Sequence, residues 1–107
     1  MNKWVVKITA EARKDIVSLG NPRANHVKKA LVKVSTNPLP SNEGGYGKPL
    51  GNKNGVNLTG LYKVKLRGDG IRIVYRLERS EKEMIVVVVG IRDDSHIYEE
   101  AARRISK

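Results

Sequence analysis

The 107-residue chain contains no cysteine. That excludes a disulfide framework, a thiol nucleophile and any zinc site built on thiolates. Histidine is nearly as scarce: His26 and His96 lie 70 positions apart, so no metal or cofactor site is expected. Long apolar runs are missing too. The longest, Met84–Val89, falls far short of the ~20 residues that span a bilayer. The start, Met1-Asn2-Lys3-Trp4, carries no apolar segment of signal-peptide length. A cytoplasmic protein with no membrane partner is expected. Carboxylates are under-represented, with 11 Asp and Glu against 21 Lys and Arg, a formal charge of +10. A field of that sign on so small a surface favours a polyanionic partner. Hydrophobic residues make up 39%, too many for a disordered basic tail and enough for one modest core. The whole chain, 1–107, therefore reads as a single domain.

Trp4 to Ile8 has the β-branched and aromatic content of a short strand. Thr9 is a plausible N-cap for a helix over 10–19, in which Ala12, Ile16 and Leu19 share one face. Gly20 closes it, and Asn21-Pro22 opens a second helix with Ala24, Val27, Leu31 and Val34 on one side. Asn37-Pro38 ends that helix. Residues 37–60 then hold six of the ten glycines and read as a surface loop tacked down by Tyr46, Leu50 and Leu58. Three strands follow, 61–67, 71–79 and 84–91, the last apolar enough to be central and covered on both faces. Asp93-Asp94-Ser95 supplies caps and a first-turn acid for a last helix with Ile97, Ala101 and Ile105 in line. The order β-α-α-β-β-β-α predicts an α+β fold: a mainly antiparallel four-stranded sheet, two N-terminal helices on one face and a C-terminal helix.

The strands around residue 70 carry the clearest chemical signal. Alternation puts Tyr62, Val64 and Leu66 on one face and Lys63, Lys65 and Arg67 on the other. Asp69-Gly70 predicts a two-residue hairpin in which opposed residues have numbers summing to 139. Arg67 then faces Arg72, Lys65 faces Val74 and Lys63 faces Arg76. Like charges opposed across a ladder cost roughly 0.2–1 kcal/mol each. A face bearing Lys63, Lys65, Arg67, Arg72 and Arg76 is therefore better suited to holding phosphates than to stability. A solvated outer face that serves only solubility is the plainer alternative. Arg92, where the last strand runs out, can project at the rim of this face. Tyr98 can bring a ring to the same rim for base stacking, worth ~1–3 kcal/mol, or lie half-buried in the core. For His96 three roles stay open: general acid, helix-cap contact or surface residue.

The run Leu61-Tyr62-Lys63-Val64-Lys65-Leu66-Arg67, with Gly70, Arg72, Val74-Tyr75, Val89-Gly90, Arg92, Tyr98 and Ala101, resembles the RelE branch of the RelE/ParE toxin superfamily over nearly the whole chain. The loop over 37–60 looks longer than in the best-known members. The Glu and His that a related branch places just before the terminal tyrosine are not matched, since Ile97 stands there. The resemblance implies the toxin of a type II toxin–antitoxin system: a metal-independent endoribonuclease that cuts messenger RNA on the ribosome. The message's own 2′-hydroxyl attacks the adjacent phosphorus. The catalytic set it implies is Lys63, Lys65, Arg72, Arg92 and Tyr98, with Arg67 and Arg76 binding RNA. Lys65 is expected to activate the 2′-hydroxyl, its pKa lowered by neighbouring cations. Lys63 and Arg72 would stabilise the pentavalent phosphate, Arg92 the leaving oxygen, and Tyr98 would stack or orient the base. An acidic antitoxin protein is the implied partner. A ParE-like non-enzymatic inhibitor of DNA gyrase, or a general nucleic-acid-binding module, would use the same charge without cutting RNA.

Overall fold

A computed structural model describes residues 3–53, 55–91 and 93–106. The elements run β1 (Val5–Ile8), α1 (Ala10–Leu19), α2 (Arg23–Val34), a 3₁₀ turn (Ser41–Glu43), β2 (Lys48–Lys53), β3 (Val56–Leu66), β4 (Ile71–Glu78), β5 (Glu83–Gly90) and α3 (Asp94–Ile105). The sheet has five strands in the order β1-β5-β4-β3-β2, with β1 parallel to β5 and the other pairs antiparallel. Thr9 caps α1 as expected, its hydroxyl accepting from the Ala12 amide at 3.1 Å. Asp93 does the same for α3, accepting from the His96 amide at 3.0 Å.

Four strands were expected and five are present, because 37–60 is not one loop. β2 reads Lys-Pro-Leu-Gly-Asn-Lys, a composition that signals turn. It can be a strand because it lies at the sheet edge, where proline's missing N–H leaves no ladder bond unmade. At Gly51 the register shifts and φ is +59°, a backbone state suited to glycine. Leu50 and Leu58 are buried anchors as expected, but Tyr46 is about half exposed, with the Lys33 ammonium 5.5 Å from its ring centroid. The preceding stretch is tied to the sheet by Tyr75, fully buried, whose hydroxyl donates to the Pro38 carbonyl at 2.7 Å. The chain passes so close that a Cβ on Gly47 would stand 2.3 Å from that hydroxyl.

The β3–β4 register differs from expectation by two. Lys65 pairs with Arg72, Val64 with Ile73 and Lys63 with Val74, sums of 137, and the connection is the four-residue turn 67–70. A two-residue type I′ turn needs positive φ at both central residues. Only Gly70 has it, at +67°, and its amide donates to the Leu66 carbonyl at 2.9 Å. The Asp69 carboxylate instead meets Nδ1 of His26 on α2 at 2.6 Å. A shift of two preserves the parity of side chains, so the division of faces stands.

Both sheet faces are covered. Under α1 and α2 lie Ile71, Ile73, Tyr75, Met84, Val86 and Val89, with Tyr62, Val64 and Leu66 packed against them. The C-terminal helix takes the opposite face, where Ile97, Tyr98 and Ala101 cluster with Leu50, Leu58, Leu61, Val74, Val87 and Val88. The two N-terminal helices share one face as expected, and the C-terminal helix, whose face the sequence did not specify, covers the other. Tyr75 pairs with Val86 and Val74 with Val88, so Val87 is an extra residue in β5. That bulge lets two successive valines serve the α3 side.

Candidate functional site

The face under α3 is also the basic face. β3 sends Lys63 and Lys65 to it, and β4 sends Arg72 and Arg76. β2 adds Lys48, directly opposite Lys63. Lys48 was hidden from sequence reasoning because its strand was. Arg76 is exposed opposite Leu61. Arg67 is exposed but lies in the 67–70 turn, outside the ladder, and does not face Arg72. Arg92 lies outside the described residues.

The face is not open along its length. Where α3 crosses it, the side chains of Lys63 and Arg72 are only 11% and 15% exposed. Asp94, in the first turn of α3, lies over both. Its carboxylate accepts from Arg72 Nε and stands 3.5 Å from the Lys63 ammonium. Arg72 also donates through Nη1 to the Gly70 carbonyl at 3.1 Å. Sequence reasoning identified Asp94 as a helix-start acid and missed this second role. The Lys63 ammonium lies 5.6 Å from the centroid of the Tyr98 ring, and Tyr98 is 6% exposed. The ring therefore faces a lysine and the core instead of projecting freely at a rim. A Cβ at Gly90 would stand 2.8 Å from Ile97 Cδ1, the end of a side chain of α3 that can turn aside.

The electrostatics of Lys63 run against the simple expectation for a crowd of cations. Burial alone would lower the Lys63 pKa, but contacts with Tyr98 and Asp94 outweigh it and hold the ammonium above its ordinary range. Lys63 is thus a fixed positive charge. Burial alone would raise the Asp94 pKa, and Arg72 and Lys63 overcome that to hold the carboxylate below its ordinary range. Lys65 is exposed, and among the described residues no carboxylate lies within ion-pair reach of it. His96 is exposed and its Nδ1 meets the Asp93 carboxylate at 2.9 Å. Of its three open roles, this contact is the helix-cap one. Among the described residues no group of three or more His, Asp or Glu stands close enough to hold a metal ion.

Chemically, the site is a two-cation anion cradle, Lys63 and Arg72, with an exposed amine, Lys65, directly across the ladder from the arginine. No family profile matches the chain. It is 33% identical over 94 residues to the mRNA interferase toxin RelE of Escherichia coli, covering 88% of each chain. The same figures hold for mRNA interferase RelE of Shigella flexneri. A mutant of the E. coli toxin RelE in the free state superposes with a TM-score of 0.74 at 28% identity, over 97% of this chain and 99% of that one. A chain of a RelBE toxin–antitoxin complex from Mycobacterium tuberculosis gives 0.66 at 26% identity, over 88% and 97%. With the fold, the face and the relatives in agreement, the chain belongs to the RelE family of toxins.

Proposed function

We propose that this chain is the toxin of a type II toxin–antitoxin pair, an endoribonuclease that cuts messenger RNA on the ribosome and so stops translation in the cytoplasm. Relatives named as mRNA interferases support the class of activity. The observation that carries the reading is the direct opposition of Lys65 and Arg72 beside Lys63 on one sheet face. In the cleavage step the 2′-oxygen bonds to the adjacent phosphorus and the P–O5′ bond breaks, leaving a 2′,3′-cyclic phosphate and a 5′-hydroxyl. Lys65, which no carboxylate among the described residues pairs, accepts the 2′-hydroxyl proton as the neutral amine, and the departing O5′ takes up a proton from solvent. Arg72 and the permanently charged Lys63 neutralise the non-bridging oxygens as negative charge builds. These cations supply the charge that a metal ion would otherwise bring. Arg92, by resemblance, serves the leaving oxygen, and Tyr98 holds Lys63 in place. Arg67, Arg76 and Lys48 hold the flanking phosphates.

The partner is an acidic antitoxin. Structural neighbours of this fold include toxin–antitoxin complexes, and a chain of charge +10 is complementary to an acidic segment that folds on contact. The test is induction of this chain alone in bacterial cells, with mapping of message ends. Translation arrest with new 5′-hydroxyl ends, abolished by Arg72→Ala, is expected. Growth arrest with intact messages would instead identify a non-enzymatic, gyrase-directed poison.

A further inference from the structure

The geometry points to Asp94 as a determinant of substrate affinity: its carboxylate occupies the place of an RNA phosphate over Arg72 and Lys63, and RNA binds by displacing it. This rests on the reading of the basic face as the RNA site.

Three observations carry it. The two cations are nearly buried while the carboxylate above them is 45% exposed, so Asp94 lies between the cradle and solvent. A phosphate oxygen approaching Arg72 Nε meets a position already taken by Asp94 Oδ1. And the helix does not need Asp94 to begin, because its amide cap is the neighbouring Asp93. Turning the Asp94 side chain outward costs the ion pair but leaves the α3 cap intact. A phosphodiester is tetrahedral, but its two non-bridging oxygens share one negative charge as the two carboxylate oxygens do, so it can face the guanidinium and the lysine in the same way. The two ligands are alternatives on one site, so every RNA that binds pays for the release of an internal competitor. The alternative role, proton acceptor, fits less well. The lone pairs of Asp94 are engaged by two cations, which makes it a weak base.

The test uses the intact chain and a short RNA whose scissile 2′-oxygen is methylated, so that it binds without being cut. Asp94→Asn should tighten binding about tenfold, the effect of removing a competing charged contact. Asp94→Glu should stay within about twofold of the parent, and Asp93→Asn, which removes the same charge from a carboxylate facing His96, should change it by less than about threefold. On ribosome-bound message, Asp94→Asn should lower KM and leave kcat undiminished. In the unsubstituted protein, inorganic phosphate should shift the Arg72 Nε–H and Asp94 carboxyl resonances together, a readout that needs no variant. Binding by Asp94→Asn no tighter than the parent, or phosphate that moves neither resonance, overturns the proposal. A hundredfold loss of kcat with unchanged binding also overturns it, and makes Asp94 the base. Tighter phosphate and RNA binding with messages uncut by either protein would uphold the competitor and remove the nuclease reading.

Discussion

Lys65 of β3 and Arg72 of β4 are direct cross-strand partners, one exposed and the other largely buried under α3. In the proposed mechanism the exposed amine meets the 2′-hydroxyl and the arginine holds the phosphate, so each should be needed for cleavage. Arg72→Ala should slow message cleavage by roughly 10²–10³, the usual effect of losing one donor to a developing oxyanion. Lys65→Ala should be comparably severe. Lys65→Arg should fail nearly as badly, because a guanidinium keeps the charge but does not accept a proton near neutrality. Single-turnover rates on stalled ribosomes, at matched protein stability, check all three.

Tyr98 contributes to two things at once. Its ring is part of the α3-side core and lies under the Lys63 ammonium. Tyr98→Ala should therefore destabilise the fold by about 3–5 kcal/mol as well as lower activity. Tyr98→Phe, which keeps the ring, should retain most of both. Urea unfolding beside the cleavage assay separates the two effects.

The hairpin of β2 and β3 belongs to the core and is not an ornament. Leu58 is fully buried beneath α3, while its neighbour Thr59 is exposed. Leu58→Ala should cost about 2–5 kcal/mol, and Thr59→Ala no more than about 0.5 kcal/mol. Equal effects of the two changes on the urea midpoint would mean that the hairpin does not pack as described.

Acid should loosen the C-terminal helix. Glu100 accepts from Arg103 and, at 2.7 Å, from Arg104, and these contacts bring its pKa from 4.5 down to about 2. The unfolded chain therefore takes up this proton first. Stability from Glu100 is complete above about pH 4.5 and is lost as the pH falls toward 2. Asp94, also depressed, acts in the same direction. The urea midpoint should fall across that window, and Glu100→Gln should flatten part of the slope.

Local pattern carried the first helix to its bounds and sorted residues 61–66 onto their faces, since alternation survives a shift of two in the register. The shift itself was not legible. Asp69-Gly70 is a strong short-range signal, and it yields to a contact with His26, 43 residues away in the chain. β2 was illegible because Pro49 and Gly51 are turn-forming residues everywhere except at a sheet edge. The cations of the site could be read one by one. That α3 crosses above them and lowers Asp94 onto Arg72 is a matter of packing between elements distant in sequence, which no window of residues encodes.

The parallel pairing of β1 with β5 also governs when the molecule can exist. Among the described residues the first strand pairs with the last one alone, and α1 and α2 rest in part on Met84, Val86 and Val89. A growing chain that has not yet reached residue 90 has hairpins and helices but no centre to assemble around, and the long wait between partners makes closure slow. Tyr98 and Asp94 arrive later still. A nascent chain thus holds its first strand and both early helices in waiting until residue 90 is made, and the cluster of Lys63, Arg72 and Asp94 under α3 closes after that.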